Sequence, residues 1–156
     1  MRQKIATTIA ALLLFVGMIG ANAQDQQDPP STDDILTAHT QGDAALETAL
    51  NGLTTDQLAS VLDGVIAATS GETQYVTVQD IIRIAVSQAG ANAAQTASSL
   101  MNAVVTHSNA DPELAGRAAG GAIHGAPEDA RADVGQEVGT AAVQSAGNVD
   151  GADVPA

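Results

Sequence analysis

Only two side chains in this chain are aromatic, Phe15 and Tyr75, and none is a cysteine. A core must therefore be assembled from Leu, Ile, Val, Met and Ala. No ring fills space and no disulfide closes a loop, although disulfides are the usual staple of small extracellular domains. Thiol catalysis and thiolate metal sites are excluded by the same count. A lone tyrosine cannot make a stacking platform for bases or sugars, nor an aromatic-lined pocket.

The aliphatic residues that remain fall at helical spacing. Leu58, Val61, Leu62, Val65 and Ile66 recur at i, i+3, i+4, i+7 and i+8, one face of a helix. Ile81, Ile82, Ala85, Val86 and Ala89 continue the pattern, as do Leu100, Met101, Val104 and Val105. The stretch 75–82, YVTVQDII, alternates and is β-branched, but it is a single such run without a partner strand. Helix starts are marked by the capping box Thr54–Gln57, a looser version at Thr77–Asp80, Asp111-Pro112-Glu113 and Pro127-Glu128-Asp129. Stops are marked by Asn51-Gly52, Gly71, Gly90, Asn109, Gly125 and Gly147. These signals predict six short helices, at about 33–50, 55–69, 78–89, 92–108, 112–125 and 128–146. The fold class is all-α, a small bundle or a helix-repeat stack.

A repeat underlies the pattern. Ile66, Val86, Val105, Ile123 and Val143 sit in similar contexts (GVIAATSG, IAVSQAGA, AVVTHSNA, GAIHGAPE, AAVQSAGN), 20, 19, 18 and 20 residues apart. The period is about 19 residues, one helix and one tight connection. Three glycine pairs are spaced by four: Gly116/Gly120, Gly121/Gly125 and Gly135/Gly139. On a helix each pair lies on one side, where a neighbouring helix can approach closely. Each interior glycine costs about 1 kcal/mol relative to alanine. These two glycine-rich helices are therefore expected to recover stability by docking, on the earlier helices or on another chain. All six glycines are candidate interaction residues. Large aliphatics concentrate between Ile35 and Val105, so 33–108 should be the more stable part and 109–147 the weaker.

Residues 1–23 read as a cleaved secretory signal peptide: Arg2 and Lys4, an apolar run from Ile5 to Gly20, and Ala21-Asn22-Ala23 as the cleavage site. A flexible leader, 24–32, and a flexible tail, 148–156, flank the helical domain, 33–147. The formal charge is −13, and losing Arg2 and Lys4 deepens it by two. Such a chain is repelled by nucleic acids and by anionic membrane surfaces. No other segment is apolar enough to span a membrane. The expected location is periplasmic or extracellular.

Chemistry-bearing motifs are sparse. His107 and His124 end adjacent repeats, each followed by a Pro-Glu helix start, and with Asp111, Glu113, Glu128 and Asp129 they form a donor set suited to Zn²⁺ or Cu²⁺. Both also sit at helix C-termini, where the helix dipole favours a cation. No G-x-S-x-G turn and no phosphate loop occurs, and NVDGAD, 148–153, lacks the acid order of a calcium loop. Arg83, Arg117 and Arg131 each have an acid three or four residues earlier, the spacing of intrahelical ion pairs. No enzymatic activity and no cofactor is expected.

Residues 109–147, with Ala126-Pro127-Glu128 and Ala141-Ala142-Val143, resemble the alanine-rich short-helix repeats of proteins exported by bacteria. The resemblance implies export and helical repetition and brings no catalytic residue. The extra glycines depart from that pattern. The expected role is structural or protein-interacting, with the chain packing on itself or on another exported protein. Metal binding through His107 and His124 is the alternative, and an enzyme of unrecognised type the third class.

Overall fold

The computed structural model describes residues 28–108 and 111–149, with side chains through 143. The signal-peptide segment 1–23, positions 24–27 of the expected leader, positions 109–110 and positions 150–156 of the expected tail lie outside the described residues. Seven helices follow one another: α1 (Thr32–Gln41), α2 (Asp43–Leu50), α3 (Thr55–Ala68), α4 (Gly71–Gln88), α5 (Ala93–His107), α6 (Pro112–Gly125) and α7 (Arg131–Val149). A 3-10 turn, Gly90–Asn92, leads into α5. No strand occurs among the described residues, so the fold is all-α.

Two expected boundaries move, each for a local backbone reason. The single helix anticipated over 33–50 is broken at Gly42, whose φ of 106° and ψ of 177° only glycine adopts readily. Its N–H bonds the His39 carbonyl, and its own carbonyl accepts from Ala45 and Leu46, so one residue ends α1 and starts α2. The helix anticipated at 78 starts instead at Gly71, with φ 60°. Gly71 therefore opens α4 as well as ending the α3 connection, and the β-branched run 75–82 is helical throughout. The buried Thr77 hydroxyl is satisfied by donating to the Thr73 carbonyl one turn back, at 2.7 Å. A second capping box, Ser31 with Asp34, begins α1, alongside the expected one at Thr54 and Gln57.

The helices zigzag between two rows. The odd helices α1, α3, α5 and α7 each pack on the next in their row, and so do α2, α4 and α6. Sequential neighbours pack across the rows, apart from α2 and α3. The α4–α6 pairing is the most extensive, followed by α5–α7. This is a short stack of helical hairpins, with α6 and α7 as the last members of their rows. The aliphatic markers keep register with it: Ile66, Val86, Val105 and Ile123 each stand two residues before the last residue of α3, α4, α5 and α6. Their burial differs, from fully buried Val86 to exposed Ile123. The period therefore records helix length rather than equivalent core positions.

The core carries no aromatic centre. Its largest fully buried side chains include Ile35, Leu46, Leu62, Ile81, Ile82 and Leu100, and all but Leu114 lie at or before Met101. Beyond that point Ala118, Ala122, Val134 and Val138 complete it. Replacing Gly42 by alanine adds a Cβ that meets nothing within 4 Å, so the cost is purely backbone. Gly42→Ala is expected to lower stability by about 1–3 kcal/mol, read by urea unfolding.

Candidate functional site

The three glycine pairs have two different fates. Gly121 and Gly125 face α4. A Cβ on Gly121 would collide with the Gln79 carbonyl, and one on Gly125 with the Arg83 carbonyl. Here helix backbones touch directly, and Gly121 is buried between them. The other two pairs point away from the core. A Cβ on Gly116, Gly120, Gly135 or Gly139 would meet nothing within 4 Å. By helical rotation Gly116, Gly120 and Ile123 share the side of α6 opposite Leu114, Ala118 and Ala122. Gly135, Gly139 and Val143 likewise share the outer side of α7, opposite buried Val134, Val138 and Ala141. Ile123 is 37% exposed and Val143 72%, the large hydrophobic side chains that these helices leave outside. A shallow groove lined by Gly135, Gly139, Thr140 and Val143 runs along α7.

The histidines are occupied separately. The His107 Nε2 of α5 lies 3.0 Å from Asp63 Oδ1 of α3, an oxygen otherwise sealed from solvent and without a hydrogen bond. The His124 Nδ1 of α6 lies 2.9 Å from the Gly120 carbonyl, one turn back on its own helix. Asp111, from the same expected donor set, caps α6 by accepting from the Glu113 and Leu114 N–H groups and also accepts from the Tyr75 hydroxyl at 3.2 Å. Among the described residues no group of three or more His, Asp or Glu side chains is arranged to hold a metal ion.

The arginines reach across helices more than along them. Arg83 pairs with Asp80 at 3.3 Å, as its spacing suggests, and also donates to Asp43 of α2 at 2.9 Å. Burial pulls the Arg83 guanidinium down, but Asp43 and then Asp80 outweigh it and hold its pKa above the ordinary value. Asp80 also receives the His39 ring, at 3.2 Å, so one carboxylate of α4 anchors α1 and, through Arg83, α2. Arg117 pairs with Glu72 of α4 at 3.4 Å instead of the expected Glu113. Arg131 donates to the Ala126 carbonyl at 3.4 Å instead of pairing with Glu128. The long-range partners Asp43 and Glu72 carried no signal in the spacing.

The class thus defined is an all-α hairpin stack whose terminal helices present small-residue strips outward. No helix among the described residues is long and apolar enough to cross a membrane. Comparison with models of known families, with curated proteins and with solved structures finds no match.

Two outcomes follow for the glycines. Gly125→Ala should cost about 1–3 kcal/mol, because a rigid carbonyl must move. Gly139→Ala should raise stability, by up to about 1 kcal/mol, since it improves helix propensity in open space. Thermal melting of the two variants reads both signs. Tyr75 offers a separate check. Desolvation, then the hydrogen bond and charge of Asp111, push its hydroxyl above the ordinary 10.0, with Glu113 and Glu72 adding to it. The folded protein therefore keeps a proton that the unfolded chain gives up. The stability Tyr75 supplies is complete below about pH 10 and is lost as pH rises through the folded-state value. Absorbance near 295 nm should place its ionisation above 10 in the folded protein, and Asp111→Asn should bring it back toward that value.

Proposed function

We propose that this chain is an exported, non-enzymatic interaction protein whose open strips on α6 and α7 receive a helix of another chain, first of all a second copy of itself. The observation that carries this is the contrast among the glycine pairs. Gly121/Gly125 is used inside the fold for backbone contact, whereas Gly116/Gly120 and Gly135/Gly139 have the same spacing with nothing against them. In a repeat stack each hairpin buries the face of the one before it, and the last members end on an uncovered face. Those last members here are α6 and α7. Exposed Val143 and Ile123 supply the apolar contact that glycines alone lack. Export rests on the 1–23 segment and on the resemblance of 109–147 to exported repeats.

Gly139→Leu fills the α7 strip without touching the core. Sedimentation velocity of this variant should show self-association weakened about tenfold or more, with an unchanged or higher melting temperature. Association identical to that of the unsubstituted chain would remove this surface from the interface.

A further inference from the structure

A cavity lies at the opposite end of α4 from the Tyr75–Asp111 contact. It is a cleft of about 610 Å³ where the ends of α2 and α4 meet the starts of α3 and α5. That volume is within the range of small-molecule sites. In a chain of charge −13, no charged side chain among the described residues lines the cleft. Its rim carries four carboxamides, Asn51, Gln88, Asn92 and Gln95, and its apolar floor includes Leu58 and Ala85.

Thr96 distinguishes this cleft from a wet surface dent. The residue is only 5% exposed. Several helical threonines turn their hydroxyls back onto a backbone carbonyl: Thr48, Thr77, Thr106 and Thr140 onto the one four residues earlier, and Thr40 onto the one three earlier. The Thr96 hydroxyl makes no such bond and no other with the described protein. Thr96 lines the cleft, and its hydroxyl is not sealed from solvent. Such a hydroxyl pairs only with what enters the cleft, water or a polar group of a ligand. Around it Asn92 and Gln95 are likewise uncommitted, and Gln88 spends only its N–H₂, on the Glu47 carbonyl at 3.1 Å.

We propose that this cleft binds a small uncharged ligand through a secondary amide, with a small apolar substituent against Leu58 and Ala85. Carboxamides and a hydroxyl each donate and accept, which suits a group with one N–H and one C=O. An anion finds no cation there and a cation no carboxylate. A sugar recognised by its ring alone lacks an aromatic face to stack on, because Tyr75 is not part of the lining. The same amide chemistry is carried by N-acetylated amino sugars and by short uncharged peptides. This inference does not rest on the α6 and α7 strips.

The test is a titration of the intact ¹⁵N-labelled protein, following side-chain amide signals, with three probes. These are the disaccharide of N-acetylglucosamine, N-acetyl-dialanine methylamide, and cellobiose as a sugar without an amide. One or both amide probes should shift the Asn92 and Gln95 signals with Kd below about 10 mM, while cellobiose does not; which probe binds names the source. Thr96→Val keeps shape and removes the hydroxyl. It should weaken binding about tenfold with the melting temperature retained, and Gln95→Ala on the rim should weaken it too. The proposal is overturned if neither amide probe shifts these signals, if cellobiose binds as well as they do, or if both variants bind unchanged.

Discussion

Where α6 crosses α4, Gly121 and Gly125 lie against the peptide groups of Gln79 and Arg83, and no side chain separates the two backbones. A chain so poor in rings and without disulfides has few ways to stabilise a fold, and one of them is to bring many small atoms close together. This contact is the centre of the most extensive helix pairing in the molecule. It also explains why helices as poor in propensity as α6 form at all. The free energy lost by glycine in isolation is offset by contacts that any larger residue would push apart. With α6 seated, Leu114, Ala118 and Ala122 reach the core, and α7 closes over α5 with Val134 and Val138.

Polar contacts orient this stack more than they hold it. Asp80 receives His39 from α1 and Arg83 from its own helix, and Arg83 continues to Asp43 of α2. Arg117 to Glu72 and Tyr75 to Asp111 join α4 to the α6 end. Partly exposed pairs of this kind contribute at most about 1 kcal/mol each. In a strongly acidic chain they do something else as well. Arg83 stands between Asp43 and Asp80, carboxylates of α2 and α4 that would otherwise repel one another across the helix boundary.

The helices were legible because their signals are local. The Thr54 capping box, the Asp111-Pro112 start and the i, i+3, i+4 aliphatic spacing act within one turn, and α3, α5 and α6 stand where those signals put them. Gly42 and Gly71 were harder, since a positive φ depends on the neighbours and not on glycine alone. The glycine spacing marked strips capable of close approach. It did not say which strip is spent inside, because Gly121/Gly125 and Gly116/Gly120 differ by their rotation relative to α4, a tertiary fact. The partners of His107 and Arg117 were invisible for the same reason. Thr96 carried no sequence signal at all: its place among the carboxamides exists only once α3 and α5 converge.

Direct backbone contact between α4 and α6 underlies the fold and, by extension, the role of the outward strips. Interhelical nuclear Overhauser effects between α-protons report it without any substitution. Close packing predicts clear cross-peaks from the Gly125 α-protons to the Arg83 α-proton and from those of Gly121 to that of Gln79. A well-dispersed helical spectrum lacking these cross-peaks would contradict the account, because the two helices would then be held apart by side chains.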